Sequence, residues 1–129
     1  MSDAASRSSV RAPVYGGRFM AVTGHNAATL AAIAVHQRGG NVVDAAIAAS
    51  ATLAVALGQA TTIGGDCFLL YHEAKTGKLH ALNASGVAPA AATPDKFTDG
   101  MQAYGPGAAV VPGLVRAWDV LHKRFGSMA

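Results

Sequence analysis

On a soft scale of roughly 150 residues per domain, the 129-residue chain is one domain or part of one, which excludes a multidomain assembly. Hydrophobic residues make up 51% but aromatics only 6%, and charged residues 13% against the ~25% usual for soluble domains, which excludes disorder and predicts a surface that lacks its partner. Ten Lys and Arg against seven Asp and Glu give +3, yet the basic residues are dispersed from Arg7 to Arg124 without interleaved aromatics, an arrangement that speaks against a nucleic-acid partner.

Residues 1–13 hold Ser, Ala and Arg without periodicity and predict a loose arm, leaving 14–129 as the folded part. The opening MSDAASRSSVRAP has no apolar core of a secretory signal, and Cys67 is the single cysteine, so a cytoplasmic location is expected. The run RFMAVTG, from Arg18 to Gly24, alternates weakly and suits a short strand. A helix is expected in HNAATLAAIAVHQRGG, with Leu30, Ile33 and Ala34 on one face, Arg38 in the last turn and Gly39-Gly40 as the stop. Asn41 then caps a second helix, with Asp44 three residues on, near its positive end. Val43, Ile47, Ser50, Ala54 and Leu57 recur at helical spacing, and alanine fills the other faces. A helix apolar all round belongs inside a protein or a membrane, but this one carries Asp44 and falls short of the ~20 residues of a span. The protein interior is the expectation, with close backbone approach between alanine-rich helices and no membrane partner.

The glycine-rich GQATTIGGD lacks the Lys-Ser/Thr pair of a phosphate loop and puts Asp66 directly after Gly65, so a tight turn is expected there. Two strands follow, Cys67 to Glu73 and Lys78 to Asn83, joined by Ala74 to Gly77. His72 and His80 are expected to face each other across this hairpin as an ordinary pair, since two imidazoles alone do not complete a zinc site. Cys67 opens the most apolar strand and reads as a buried structural thiol. Residues 84–109, with Pro89, Pro94 and Pro106, form a long irregular connection with one helical turn at PDKF. A last helix starts near Pro112 and stops at Gly126, with Leu114, Ala117, Trp118, Leu121 and Phe125 on its apolar face and Arg116, Asp119, Lys123 and Arg124 on its wet one.

Taken together and in order, RGGNVVDAAIAAS, TTIGGDCFLLYHEAKTGKLHALNASGVAPAAATP and VVPGLVRAWDVLHKRFG resemble the N-terminal part of the gamma-glutamyltransferase family, especially its cytoplasmic, acylase-like branch. The similarity runs from about Val14 to the last residue. The resemblance implies an α+β fold, part of the αββα four-layer sandwich of an N-terminal nucleophile hydrolase, with alanine-rich helices packed on antiparallel strands. It further implies a precursor that cuts itself in two, the nucleophile being the new N-terminal threonine of a downstream small subunit whose own amine serves as base. The chain would then hold no catalytic residue, no metal and no cofactor, Thr61 and Thr62 being loop residues, and its partner would be that small subunit.

In the family an arginine four residues before the proline of an R-E-x-A-P segment pairs with the α-carboxylate of the glutamyl group, and Ser85 stands at the matching place in Asn83-Ala84-Ser85-Gly86-Val87-Ala88-Pro89. Val87 occupies the place where the acylase-like branch often has an arginine. A hydroxyl does not reproduce the two-pronged bonding of a guanidinium to a carboxylate. The resemblance therefore implies a gamma-glutamyl or related acyl amide substrate, with glutathione itself disfavoured, and Ser85 is the candidate substrate-binding residue. The alternative is a non-catalytic remnant or interaction module with the same half-fold.

Overall fold

The computed structural model describes residues 12–101 and 103–129; most of the expected loose arm over 1–13 lies outside the described residues. Among the described residues, three α-helices and one hairpin make up the main regular structure: α1 (Asn26–Gln37), α2 (Val42–Ala56), β1 (Phe68–Glu73), β2 (Lys78–Asn83) and α3 (Leu114–Phe125). The result is the expected mixture of helix and antiparallel strand.

α1 and α2 form an antiparallel pair joined by a tight connection. Gly39 takes φ +94°, a conformation a side chain disfavours, and the N–H groups of Gly39 and Gly40 bond back to the carbonyls of His36 and Val35, which closes α1. Asn41 then caps α2 through Val43 and Asp44 N–H, while the Asp44 carboxylate accepts from Asn41 N–H at 2.9 Å, a complete capping box. The core of the pair is Ala28 and Ala32 of α1 with Ala45 and Ala49 of α2, flanked by Phe19, Ala21, Val35 and Leu53. Alanine-lined surfaces thus carry the packing, as expected, but on another face of α1: Leu30 is 65% exposed and Ala34 is exposed. The expectation for α1 followed its largest apolar side chains, whereas two helices that meet closely select the smallest.

The strand expected over Arg18 to Gly24 is not formed. This segment runs without a ladder partner, and extended chain becomes a strand only through a hydrogen-bonded neighbour. Phe19 nevertheless stacks on His36, with ring centroids 4.1 Å apart, which ties the segment to α1.

β1 and β2 pair antiparallel from Glu73↔Lys78 to Phe68↔Asn83. Ala84 N–H extends the ladder to the Cys67 carbonyl at 2.8 Å. On one face, Tyr71 and His80 pack against Phe125 of α3, at centroid distances of 5.1 and 4.7 Å. The other face carries Phe68, Leu70 and Leu79, which are 67%, 72% and 65% exposed. Apolar faces of this kind mark a missing contact. The isolated chain is accordingly expected to self-associate in sedimentation velocity, and Leu70→Lys to weaken that association about tenfold to a hundredfold, given about 1.5–3 kcal/mol for burying a leucine. A compact monomer that does not respond to the substitution would count against this role for the face.

α3 crosses back to α2, where Trp118 Nε1 donates to Ser50 Oγ at 3.1 Å and the Asn41 side-chain amide donates to the Phe125 carbonyl at 2.6 Å. Its buried residues are Leu114, Ala117 and Leu121, members of the expected apolar face. The PDKF turn forms as a 3-10 turn at Pro94–Phe97, and a second lies at Pro106–Ala108. No helix among the described residues is long and apolar enough to cross a membrane.

Candidate functional site

Three irregular segments converge beside the first turn of α3. Gly65, from the glycine-rich turn, accepts hydrogen bonds from Gly113 N–H at 3.0 Å and Leu114 N–H at 3.1 Å, and so satisfies two of the orphan donors at the helix start. The chain leaving β2 runs directly over Gly113, where Ala84 O occupies the space that a side chain would need, and Gly86 lies as closely on Val111. In the same bend Ser85 N–H donates to Asn83 Oδ1 at 2.9 Å, a local side-chain turn. The 83–86 bend, the chain before α3 and the first turns of α3 border an open cleft of about 300 Å³ whose walls include Asn83, Ser85, Val111, Gly113, Arg116 and Val120.

Ser85 is half-buried at this cleft, and the residue that sequence reasoning passed over is Arg116. It sits in the first turn of α3, where the positive end of the helix disfavours a cation. That misplaced charge was the available signal. Arg116 Nη1 donates to Asp119 Oδ2 at 2.6 Å, and Lys123 Nζ approaches the other oxygen at 2.7 Å. The Lys123 hydrogen bond, against a smaller burial effect, and then the charges of Lys123 and Arg116 hold the Asp119 carboxyl below its ordinary range.

The two histidines are not opposite each other. His80 pairs with Tyr71 and His72 with Leu79, which places the imidazoles on opposite faces of the hairpin. Their expected contact fails because a four-residue turn always pairs an even-numbered residue with an odd-numbered one. His80 Nε2 instead lies 3.6 Å from Glu73 Oε2. No cluster of three metal-ligating side chains occurs among the described residues.

Cys67 is half-buried and precedes β1 rather than lying within it, a correction to the expected strand core. Burial, and then the charge of Asp66, push its thiol above the ordinary value, which lowers the thiolate fraction a nucleophile needs. Cys67→Ala is therefore expected to leave hydrolysis of a gamma-glutamyl anilide by the isolated chain at the blank rate, unchanged from the parent. Release above blank that disappears with the substitution would make Cys67 a nucleophile. Thr61 and Thr62 lie in the loop after α2, and the Thr61 nitrogen is a backbone amide bonded to Leu57 O, not a free amine.

Residues 28–129 match the gamma-glutamyltranspeptidase family. The chain is 38% identical over 133 residues to the glutathione hydrolase proenzyme of Pseudomonas aeruginosa, covering 97% of this chain and 23% of that protein. It is 35% identical over 119 residues to the glutathione hydrolase-like YwrD proenzyme of Bacillus subtilis, covering 90% of this chain and again 23% of the relative. Among solved structures, Helicobacter pylori gamma-glutamyltranspeptidase superposes with a TM-score of 0.79 at 32% identity, over 90% of this chain and 35% of that one. The chain thus spans less than a quarter of the length of these curated relatives. With the family match extending through the hairpin, the Ser85 bend and α3, the chain belongs to the gamma-glutamyltranspeptidase family.

Proposed function

We propose that the chain is part of the large subunit of a gamma-glutamyltransferase-like N-terminal nucleophile hydrolase, of the acylase-like branch and cytoplasmic. It acts on gamma-glutamyl or related amide bonds and passes the acyl group to water or an amine. The observation that carries this reading is the family match over residues 28–129. Two further facts support it. The relatives are proenzymes about four times longer, which leaves room for a downstream subunit bearing the threonine nucleophile. The exposed Phe68, Leu70 and Leu79 face is the kind of surface that the second sheet of a four-layer sandwich would cover.

In this reading the chain's own residues bind and orient the acyl group, and the attacking threonine comes from the small subunit. No cofactor, nucleic acid or membrane enters the scheme. The test is to express the chain together with the coding sequence that follows Ala129. Cleavage into two subunits, a threonine at the new N-terminus and release of anilide from a gamma-glutamyl anilide are expected. A stop codon at that point, or an extended chain that folds but neither splits nor hydrolyses the anilide, would favour the non-catalytic remnant.

Ser85 lies in this scheme at the acyl donor's carboxylate. Ser85→Arg in the matured enzyme is expected to raise the ratio of kcat/KM for the gamma-glutamyl over the matching glutaryl anilide, which lacks the α-amino and α-carboxylate groups. Hydrogen bonds to charged groups contribute about 1.5–3 kcal/mol, or about tenfold to a hundredfold. The low end is expected, because a cation already lines the cleft and an arginine without a full set of partners costs stability. No rise in a variant that matures and folds would place the carboxylate elsewhere.

A further inference from the structure

We propose that a second, apolar cleft, between residues 86–89 and 106–112, holds a neutral alkyl or aryl group of the amide substrate. Its volume is about 870 Å³, and its walls include Val87, Pro89, Phe97, Met101, Pro106 and Val110. Among the described residues, none that lines it carries a charge, a hydroxyl or an amide side chain. The backbone adds few donors. Four of the lining residues are prolines, which have no N–H, and the N–H groups of Ala92, Ala108 and Ala109 are bonded to Pro89 O, Gly105 O and Pro106 O within their own turns. A carboxylate or ammonium entering there would lose its water without replacement, a cost that a hydrocarbon group avoids.

The cleft is shaped before any ligand arrives. Proline fixes φ at four places around it, and the 3-10 turns at Pro94–Phe97 and Pro106–Ala108 set two of its sides. Val87, Met101, Val110 and Val111 are exposed, so a group lying among them removes hydrocarbon from water on both partners. A concave, mostly apolar site of this size suits a small molecule. Its position names which one. Gly86, Val111 and Pro112 line both this cleft and the one beside Ser85, and Gly86 lies so closely on Val111 that the shared wall has no room for a side chain at 86. A substrate whose polar end sits beside Ser85 thus has an apolar recess next to it.

That the ligand is the amide substrate rests on the function proposed above, but the cleft is testable without turnover. Met101 lines it, whereas Met20 lines a separate apolar recess between α2 and residues 19–23. The chain, carrying Leu70→Lys against self-association, is labelled with ¹³C-methyl methionine and titrated with N-butyl-, N-hexyl- and N-octylacetamide. A saturable shift of the Met101 methyl is expected, with Kd falling about fourfold per added methylene and Met20 unmoved. Hexanoate and hexylammonium should bind more weakly than N-hexylacetamide. Val87→Asp, at a side chain 86% exposed in the free chain, should weaken the octyl amide about tenfold. Equal movement of Met20 and Met101, no dependence on chain length, or tighter binding of hexanoate would overturn the cleft. So would a Met101 methyl that responds in this chain but not in one extended past Ala129, because the protein itself would then fill the space. In the matured enzyme, kcat/KM for gamma-glutamyl alkylamides should rise with alkyl length and Val87→Asp should remove the rise. A flat series would overturn the assignment to substrate. Failure to mature would sink the hydrolase reading alone and leave the methionine titration standing.

Discussion

Asp44→Ala is expected to destabilise the chain by about 3 kcal/mol in urea unfolding, since it removes the charged acceptor of the Asn41 and Ser127 N–H groups and bonds to a charged acceptor are worth about 1.5–3 kcal/mol each. Asp44 is 7% exposed, and its carboxylate links parts of the chain more than eighty residues apart. It accepts from Asn41 N–H at 2.9 Å, from Ser127 N–H at 3.0 Å and from Ser127 Oγ at 2.6 Å. It therefore caps α2 and fastens the end of α3 to it in one step. Leu70→Lys provides the background for the measurement, because self-association would obscure unfolding of the parent chain.

The same group sets an acid limit. Burial opposes the charge on Asp44, but the hydrogen bonds from the Ser127 hydroxyl and backbone, and from Asn41 and Met128 backbone, outweigh it and hold the carboxyl below its ordinary value. The folded state therefore binds this proton less readily than the unfolded one. Its contribution is complete above the unfolded carboxyl value of about 3.9 and disappears as pH falls through the lower folded value. Asp44→Asn is expected to cost stability at neutral pH and to flatten the loss below about pH 4. A variant that keeps the full acid slope of its parent would assign that slope to other carboxylates.

Those features that depend on neighbours in sequence were the legible ones. The Asn41 and Asp44 cap, the Gly39-Gly40 stop and the hairpin about Ala74 to Gly77 all follow from residues within a few positions of one another. The amphipathic pattern of α3 likewise has a local period, and its buried Leu114, Ala117 and Leu121 follow that pattern. Features that depend on what lies opposite were not legible. Nothing in the pattern of α1 says that Ala28 and Ala32, rather than Leu30 and Ile33, meet α2. The segment from Arg18 to Gly24 alternates as a strand does, but pairing needs a second strand. At the candidate site, Ser85 was legible through the family pattern. That it shares a cleft with Arg116 was not, because the irregular connection between them has no period that fixes where it returns.

That return is held by glycine, and Gly113→Ala is expected to be the most damaging single-methyl addition in this region. Gly113 has φ −115°, which any residue adopts, so backbone strain is not the cause. The obstacle is the Ala84 carbonyl, which lies where the new Cβ would go. Neither side can yield cheaply. Gly113 and Leu114 are bonded to Gly65 O, and Ala84 N–H is bonded to Cys67 O, so a shift on either side breaks backbone hydrogen bonds. Overpacking of this kind costs about 1–3 kcal/mol, and the fixed flanks put the expected loss at about 3 kcal/mol. Gly39→Ala is the control, because Gly39 has open space around its Cβ position and only its positive φ opposes a side chain, at about 1–2 kcal/mol. The two effects also differ in kind. Displacement at Gly113 separates the 83–86 bend from α3 and should abolish the hydrogen-exchange protection of the Ala84 and Gly113 amides while the α1–α2 pair stays folded by circular dichroism. Gly39→Ala should preserve that protection. If Gly113→Ala costs no more than Gly39→Ala and keeps the protection, then the bend and the helix are not in the tight contact that forms the cleft.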